Sequence, residues 1–439
     1  MTHRRFAAGA GLALAAVLTL TACGGSGSGN SGGDSSADGS TTITMAGWDL
    51  AKTPEFNALA EGFNAQSDDV KIEVVEYPSG DDYVTAMTTD IAAGTASDIV
   101  MMKQNTDFIR FSGDDLLLDV SDVADGLDPQ TGALDVYQTD DGQTLAVPFR
   151  NDFWVVYYNK DLFDQAGVEY PDGSWTWDDY QETAQALKDG GLPDGAYPVY
   201  QHTWQSTVQG FAQAQTPGAD ILSGDFDYLE PYYERALAMQ DEGLQQTFGT
   251  ATTGSLHHSS EFGRQRAAMV PMGTWFSSQL LTQIADGEAD EFAWGIAPVP
   301  QYDDSTTGLD NTPVTIGGPT GMAINARIDE AKVEAAKEFL AYAAGEEGAQ
   351  VLAGLGLSPA LVNDTTLEAM LAVDGMPQDD LSAFALSTAE VKQENPVDPN
   401  IAQIQTILSA LHTEVMPGAA SVDQAISTAE SRVANEIQD

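Results

Sequence analysis

The segment at residues 147–177, VPFRNDFWVVYYNKDLFDQAGVEYPDGSWTW, carries the clearest fold signal in this 439-residue chain. Its apolar run at residues 155–158 predicts a buried β-strand, and the spacing of apolar residues over 177–188 predicts a helix. The triplet at 147–149, with a proline at its centre, predicts a joint where the chain passes from one lobe to another. A strand that follows a joint and precedes a helix is typical of an α/β body.

Outward from this segment, predicted strands and helices alternate along the chain. The other predicted strands are residues 41–45, 70–77, 98–102 and 268–272. The other predicted helices are residues 54–66, 83–93, 225–241, 329–344 and 401–436. This order predicts a mostly parallel sheet covered by helices. Two further joints, at residues 298–300 and near Gly345, predict that the chain crosses three times between two lobes that enclose a cleft.

The N-terminal 40 residues predict export and a membrane anchor. The apolar run at residues 6–20 is close to the roughly 7 to 15 residues of a signal-peptide core and short of the roughly 20 that span a bilayer. The sequence Leu20-Thr21-Ala22-Cys23 resembles a bacterial lipobox, so we expect residues 1–22 to be a lipoprotein signal peptide and Cys23 to carry a lipid. Residues 23–40, rich in Gly and Ser, form the expected flexible tether. Arg4 and Arg5 leave both the general and the twin-arginine export routes open.

Composition excludes several classes of partner. The chain has 67 Asp and Glu against 17 Lys and Arg, a formal net charge of -50. Nucleic-acid affinity depends on clustered Lys and Arg that neutralise phosphates, and an anionic membrane surface attracts cations. We therefore expect no nucleic-acid partner and contact with a membrane only through the lipid, on the extracellular face of the cell membrane.

Catalytic and metal-binding motifs are not found in the sequence. With 67 acidic residues, a pair of neighbouring carboxylates carries no information about glycoside hydrolysis. Residues 41–439 contain no G-x-S-x-G, P-loop, dinucleotide-binding or H-E-x-x-H pattern. The adjacent His257 and His258 are expected to point apart, with no third ligand at a useful spacing. We therefore expect no catalytic residue, no metal and no cofactor.

Four tryptophans suggest a binding surface for sugars. Trp48, Trp154, Trp204 and Trp275 lie at predicted strand ends or in loops, beside polar residues such as Asp49, Asp152, Gln205 and Thr274. The C–H faces of sugars stack on flat aromatic rings, and their hydroxyls need both donors and acceptors. Each tryptophan alone is also compatible with core packing, which is the role expected for Trp175, Trp177 and Trp294.

The segment at 147–177 resembles the signature segment of the family 1 extracellular solute-binding proteins, the carbohydrate-binding components of ABC importers. Its most specific words are Tyr158-Asn159-Lys160-Asp161-Leu162-Phe163, Ala166-Gly167 and Thr176-Trp177-Asp178. Collinear matches are Ser97-Asp98-Ile99-Val100, residues 262–269 with Gly273-Thr274-Trp275, residues 294–300, Gly317-Gly318 and residues 335–340. The resemblance covers essentially all of residues 41–439.

This resemblance implies an α/β, two-lobe, periplasmic-binding-protein-like (Venus flytrap) fold with three interlobe crossovers. Lobe one is expected at residues 41–150 plus 300–343, and lobe two at 151–299 plus 344–439. The implied partners are a carbohydrate ligand and the permease subunits of an ABC transporter, and a monomer is expected. The residues that match the family's ligand contacts are Trp48, Asp49, Gln104, Asn105, Asp152, Trp204, Gln205, Trp275, Gly317 and Gly318.

The resemblance also implies a role for each of these residue types. Trp48, Trp204 and Trp275 are expected to stack on sugar rings. Asp49, Asn105 and Asp152 are expected to accept hydrogen bonds from hydroxyls. The two glycines are expected to let the backbone approach the ligand.

Some residues leave other ligands open. Arg150 and His202, near the expected cleft, would suit an acidic or phosphorylated ligand. Residues 399–411 lack the further aromatic that often accompanies long malto-oligosaccharides. The alternatives are an importer component for a polyol, glycerophosphodiester or peptide, and a secreted carbohydrate-active enzyme.

Overall fold

The structure is a computed structural model that describes residues 40–78 and 81–437. The expected signal peptide, the lipidation site Cys23 and almost all of the expected tether lie outside the described residues. Within the described part, no helix is long and apolar enough to cross a membrane.

The strands of the described residues form one mixed, curled sheet. They are β1 (Thr41–Trp48), β2 (Val70–Tyr77), β3 (Ile99–Met102), β4 (Val147–Asn159), β5 (Tyr197–Val199), β6 (Ala267–Gly273), β7 (Trp294–Pro298), β8 (Val314–Ile324) and β9 (Glu390–Gln393). Their order is β2-β1-β3-β8-β4-β6-β5, with β7 also on β4 and β9 also on β8. The expectation of a mostly parallel sheet is wrong, because β4 and β8 run antiparallel to each other and β4 also pairs antiparallel with β6 and β7.

The helices cover this sheet and bury one apolar face each. They are α1 (Glu55–Asn64), α2 (Asp81–Ala93), α3 (Asn105–Ser112), α4 (Ser121–Ala124), α5 (Lys160–Ala166), α6 (Trp177–Gly190), α7 (Ser206–Gln215), α8 (Glu230–Asp241), α9 (Phe248–Thr253), α10 (His258–Gly263), α11 (Phe276–Ala285), α12 (Val333–Ala344), α13 (Glu346–Ala353), α14 (Asp364–Leu371), α15 (Asp380–Ser387), α16 (Ile401–Val415) and α17 (Val422–Glu436). In α1, for example, Phe56, Leu59 and Phe63 recur at helical spacing and are all buried.

Two separate hydrophobic cores divide the described residues. The first core is built from residues 43–149, from Met322 to Ile324 and from the region of α12 and α13. The second core is built from residues 153–299 and from the C-terminal region between Met370 and Val433. Because each core is covered by its own helices, the body consists of two lobes.

The long strands β4 and β8 join the two cores. In β4, Phe149 belongs to the first core and Phe153 to the second, and the register with β8 shifts between Pro148 and Arg150. In β8, Ile316 belongs to the second core and Met322 to the first. The expected joint at residues 147–149 is therefore part of a continuous strand, and its proline sits beside the irregularity where a missing N–H is tolerated.

The assignment of buried residues to one core or the other indicates where the chain passes between the lobes. Residues up to Leu357 contribute to the first core, beyond the joint expected near Gly345. We propose that the chain crosses at residues 150–152, within β8 between Ile316 and Met322, and after Leu357. These proposed crossings differ from the boundaries at 300 and 344 that the sequence predicts.

Candidate functional site

A cavity of about 540 Å³ lies where β4 and β8 pass between the two cores. It is lined by ten of the eleven residues expected in the site: Trp48, Asp49, Gln104, Asn105, Arg150, Asp152, Trp204, Trp275, Gly317 and Gly318. Its volume falls in the range of small-molecule sites, roughly 300–1,000 Å³. A larger, more open groove of about 960 Å³ lies elsewhere and is lined mainly by acidic and small residues, without tryptophan.

One wall of the cavity is aromatic. The ring of Trp154, in β4, meets those of Trp204 and Trp275 edge-on, with centroids 6.4 Å and 5.9 Å apart. Trp204 is 41% exposed, and Trp275 packs against both cores. A Cβ on Gly273 would lie 1.8 Å from the Trp275 ring, so only glycine lets this ring lie against the end of β6. Trp154 also lines the cavity, although it is not among the residues that match the family's ligand contacts. Trp154 lies two residues after Asp152 in β4, so both side chains are on the same face of the strand, and this spacing could have predicted its place in the cavity.

The end of β1 supplies Trp48 and Asp49. Trp48 is 5% exposed and packs edge-on against Phe56 and Tyr83, so most of its ring belongs to the first core. The Lys103 ammonium lies 5.4 Å from the ring centroid. Asp49 is exposed and has a positive φ of 46°, a left-handed conformation that Asp tolerates better than most residues. Most of the Trp48 ring is therefore enclosed by the first core, and its stacking on a sugar ring stays a prediction.

The loop after β3 is held by one buried carboxylate. Asp107 accepts hydrogen bonds from the backbone N–H groups of Lys103 and Gln104, at 3.0 and 3.2 Å. Burial raises the pKa of Asp107 to about 6, and these hydrogen bonds oppose the rise. This arrangement fixes the position of Asn105, the first residue of α3.

Asn105 links the two sides of the cavity. Its Nδ2 donates to Gln393 Oε1 at 3.0 Å and to the backbone oxygen of Asn395 at 2.8 Å. Its Oδ1 is buried and accepts no hydrogen bond from the described residues. A buried acceptor without a partner costs free energy, so this atom is prepared to receive a donor from a ligand.

Arg150 and two carboxylates form the floor of the cavity. Arg150 Nη1 lies 2.6 Å from Glu55 Oε1, and its Nε lies 2.7 Å from Asp152 Oδ2. Thr274 Oγ1 donates to the other oxygen of Asp152 at 2.9 Å. Burial raises the pKa of Asp152 against the opposing effect of Arg150, and the two carboxylates raise the pKa of Arg150 although burial acts to lower it.

These contacts bear on both expected roles at this floor. The Arg150 guanidinium is already paired with two carboxylates, which reduces what it can offer to an acidic ligand. Each oxygen of Asp152 already has one partner and keeps a lone pair for a hydroxyl, so its contact with a sugar stays a prediction.

Gln205 and Gly317 each have a close contact within the protein. Gln205 does not line the cavity, and its Nε2 instead donates to Gln405 Oε1 on α16. A Cβ on Gly317 would lie 2.3 Å from the backbone oxygen of Asp152, so glycine is needed there for close pairing of β8 with β4. At Gly318 the nearest atom to such a Cβ is 3.5 Å away, which leaves room beside the cavity.

Three histidines form a cluster at the aromatic wall. The ring centroid of His202 lies 5.1 Å from that of His257 and 5.2 Å from that of His258, and the last two rings are 4.0 Å apart. The expectation that His257 and His258 point apart is wrong. His257 is the extended N-cap residue of α10, and His258 is the first residue of that helix. The two residues therefore share neither a strand nor a helix, and the side-chain directions expected within either element do not apply to them.

Burial keeps these imidazoles neutral. It lowers the pKa of His202 to about 4 and that of His258 well below its usual range. Burial and the charge of Lys52 lower the pKa of His257. His202 is buried behind the ring of Trp204, which it contacts at a centroid distance of 4.2 Å. Neutral rings do not attract an acidic ligand.

The remaining lining residues were not expected from the sequence. They include Lys52, Glu55, Lys103, Ser206, His257, His258, Gln279, Glu394 and Asn395. Burial raises the pKa of Glu394 to about 7. Glu394 and Asn395 follow β9, a short strand without a clear sequence signal, so only the tertiary structure brings them to the cavity.

Comparison with known proteins gives relatives that bind solutes. The chain is 25% identical to a putative binding protein of Brucella abortus and spans 64% of its length, with 61% of the chain covered. It is 26% identical to the arabinooligosaccharide-binding protein of Bacillus subtilis over 74% of each chain. A crystal structure of a sugar transporter from Rhizobium etli in an open conformation is 33% identical, covers 91% of this chain and 100% of its own, and superposes with a TM-score of 0.77.

The fold of the Rhizobium etli protein confirms the expected two-lobe α/β fold. The model of the family described as bacterial extracellular solute-binding protein matches residues 47–350, more than half of the chain. These residues include the segment at 147–177 and all eleven expected site residues, from Trp48 to Gly318, together with Gly273-Thr274-Trp275, which shapes the aromatic wall. The chain therefore belongs to the family of bacterial extracellular solute-binding proteins.

Proposed function

We propose that this chain is the extracellular substrate-binding component of an ABC importer, which captures a neutral mono- or oligosaccharide between its lobes and delivers it to the permease. The chain makes and breaks no bond of its ligand. Its lipid at Cys23 anchors it to the outer face of the cell membrane, and it works as a monomer. Closure of the lobes follows from ligand contacts that are made only in the closed state.

The unpartnered Oδ1 of Asn105 beside an aromatic wall is the observation that carries this proposal. A sugar offers hydroxyl donors to such an acceptor and C–H faces to the rings of Trp204 and Trp275. The names of two relatives, an arabinooligosaccharide-binding protein and a sugar transporter, point the same way.

The double pairing of Arg150 supports a neutral ligand. Anion-binding sites use guanidinium or backbone N–H groups that are available to the ligand, and here Glu55 and Asp152 occupy the buried guanidinium. Lys52 and Lys103 also line the cavity, and they are the feature that favours the alternative ligand, a glycerophosphodiester.

A thermal-shift screen distinguishes these ligands. The purified protein is melted with neutral saccharides, polyols, glycerophosphodiesters and short peptides. A ligand at 100 times its Kd adds about 2.7 kcal/mol to the free energy of unfolding. We expect a neutral saccharide to give the largest rise in melting temperature. A rise with a glycerophosphodiester or peptide and none with any saccharide would overturn the sugar assignment, and hydrolysis of an oligosaccharide would overturn the transport assignment.

Two variants locate the binding site. Trp204→Ala removes a partly exposed ring of the wall, so it is expected to abolish the ligand-induced shift without changing the melting temperature of the free protein by much. Tyr302→Ala is the matched control, because Tyr302 is 47% exposed and lies outside the cavity lining. An equal loss of the shift in both variants would argue against this cavity.

A further inference from the structure

The histidine cluster beside the cavity has the donor set of a metal site. His202, His257 and His258 each offer one ring nitrogen, and these nitrogens all lie within 4.8 Å of one another. Imidazole is a preferred ligand of Zn²⁺, Cu²⁺ and Ni²⁺. We propose that His202, His257 and His258 bind a divalent transition-metal ion such as Zn²⁺ at the wall of the cavity.

A buried nitrogen without a partner supports this assignment independently. His258 is 2% exposed, and its Nδ1 has no hydrogen-bond partner among the described residues. Its Nε2 lies 3.2 Å from Gln279 Oε1, which can only accept, so Nε2 carries the proton and Nδ1 presents a lone pair. Metal-binding histidines commonly donate their other ring N–H to an oxygen acceptor, which fixes the tautomer of the ring.

The other two rings also present a lone pair. His202 Nδ1 accepts the N–H of Thr203 at 2.9 Å, so it is the unprotonated nitrogen, and a metal ion would compete with this N–H. His257 Nδ1 accepts the backbone N–H of Ser259 at 3.5 Å as the N-cap of α10 and lies 2.9 Å from Ser259 Oγ, so it too is the unprotonated nitrogen. Each of the three rings therefore has a nitrogen with a lone pair, and at His202 and His257 a metal ion would displace a backbone N–H.

Only small movements are needed to close the site. A tetrahedral Zn²⁺ with Zn–N bonds of roughly 2.0–2.1 Å requires ligand nitrogens about 3.3 Å apart. His257 is exposed, so its side chain can rotate toward the two buried rings. The exposed ammonium of Lys52, which acts electrostatically on His257, can move away from an incoming cation.

The position of the cluster gives the ion an open face. His257 and His258 line the cavity, and His202 lies behind Trp204. Three protein ligands leave one coordination position of a tetrahedral ion for water or for a ligand oxygen. The proposed ion would therefore lie close to the cavity. The proposal does not depend on which solute the cavity binds.

Isothermal titration of Zn²⁺ into the purified full-length protein tests the site. We expect one ion per chain in the wild type. His257→Asn is expected to raise the Kd for Zn²⁺ at least about tenfold, because removal of a residue that only hydrogen-bonds to a metal ligand already weakens metal affinity by about that factor. Because His257 is exposed and Asn is a good N-cap residue, the metal-free melting temperature should be unchanged.

His412→Asn is the control for loss of a histidine outside the cluster. His412 is buried and bonded to Tyr233 and to the backbone of Thr203, but it is not one of the three clustered rings. It should bind Zn²⁺ as the wild type does. No saturable binding by the wild type, an unchanged Kd in His257→Asn, or an equal loss in His412→Asn would overturn the proposal.

Discussion

The buried trio of Glu55, Arg150 and Asp152 gives the sharpest test of how the floor of the cavity is held together. The three side chains are 2%, 12% and 6% exposed, and both ion pairs are shorter than 3 Å, at 2.6 and 2.7 Å. Arg150→Met keeps an unbranched apolar stem but removes the guanidinium, which leaves two buried carboxylates without a cation. Removing one partner of a buried ion pair costs about 3–5 kcal/mol, so we expect the free energy of unfolding to fall by that amount.

The loss should depend on pH in a defined direction. Burial already raises the pKa of Asp152 in the wild type, and Arg150 opposes the rise. Without Arg150 the pKa of Asp152 rises further, so the folded variant holds a proton that the unfolded chain has released. Stability then increases as pH falls, and the difference between wild type and variant is largest above neutral pH and shrinks in acid.

Urea denaturation at several pH values measures this effect. Circular dichroism and tryptophan fluorescence must give coincident transitions with an unchanged m-value, because two lobes can unfold separately. Arg432→Met is the control, since Arg432 forms an exposed ion pair with Glu436 and its loss should leave the midpoint unchanged. Arg150→Met combined with Glu55→Gln should recover part of the loss. An Arg150→Met variant as stable as Arg432→Met would refute the reasoning.

Three further variants test other features of the cavity. Gly273→Ala places a Cβ 1.8 Å from the Trp275 ring, where carbons need roughly 3.5–4.0 Å, so we expect the ring to be displaced; saccharide affinity unchanged in isothermal titration would contradict this. Glu394→Gln removes a carboxyl whose pKa burial raises from 4.5 to about 7. Between these two pH values only the folded state keeps the proton, so the stability of the wild type falls as pH rises from about 4.5 to about 7. The melting temperature of Glu394→Gln should not fall over this pH range. The same pH dependence in wild type and variant would argue against a raised pKa at Glu394. Asn105→Ala removes the hydrogen bond to Gln393 across the cavity, so small-angle scattering should give a larger radius of gyration for the ligand-free protein, and an unchanged radius would show that the bond does not hold the lobes.

Local sequence patterns predicted much of the fold. The strand expected at residues 70–77 has the bounds of β2, because its alternation is clear and one face is buried. By contrast, only residues 155–158 of β4 were expected, since Pro148 and Arg150 interrupt the apolar run. The antiparallel course of β4 and β8 depends on pairing between distant segments, which no local pattern contains.

The family resemblance predicted which sequence positions line the cavity. It did not predict contacts between side chains that are distant in the sequence. Ten expected residues line one cavity, although their contact with a ligand stays a prediction. Gln205 lies outside the lining of this cavity because its side chain donates to Gln405 on a distant helix, and its contact with a ligand also stays a prediction. The cluster of His202 with His257 and His258 was missed for the same reason, since a loop after β5 and the start of α10 meet only in the folded chain.

The central proposal is that the protein captures a neutral sugar between the two cores. The most direct test is a crystal structure of the protein bound to the saccharide that stabilises it most. We expect one sugar ring to lie against the face of Trp204 or Trp275, with a hydroxyl donating a hydrogen bond to Asn105 Oδ1. A sugar bound outside this cavity, or bound within it without contact to either ring and to Asn105, would contradict the proposal.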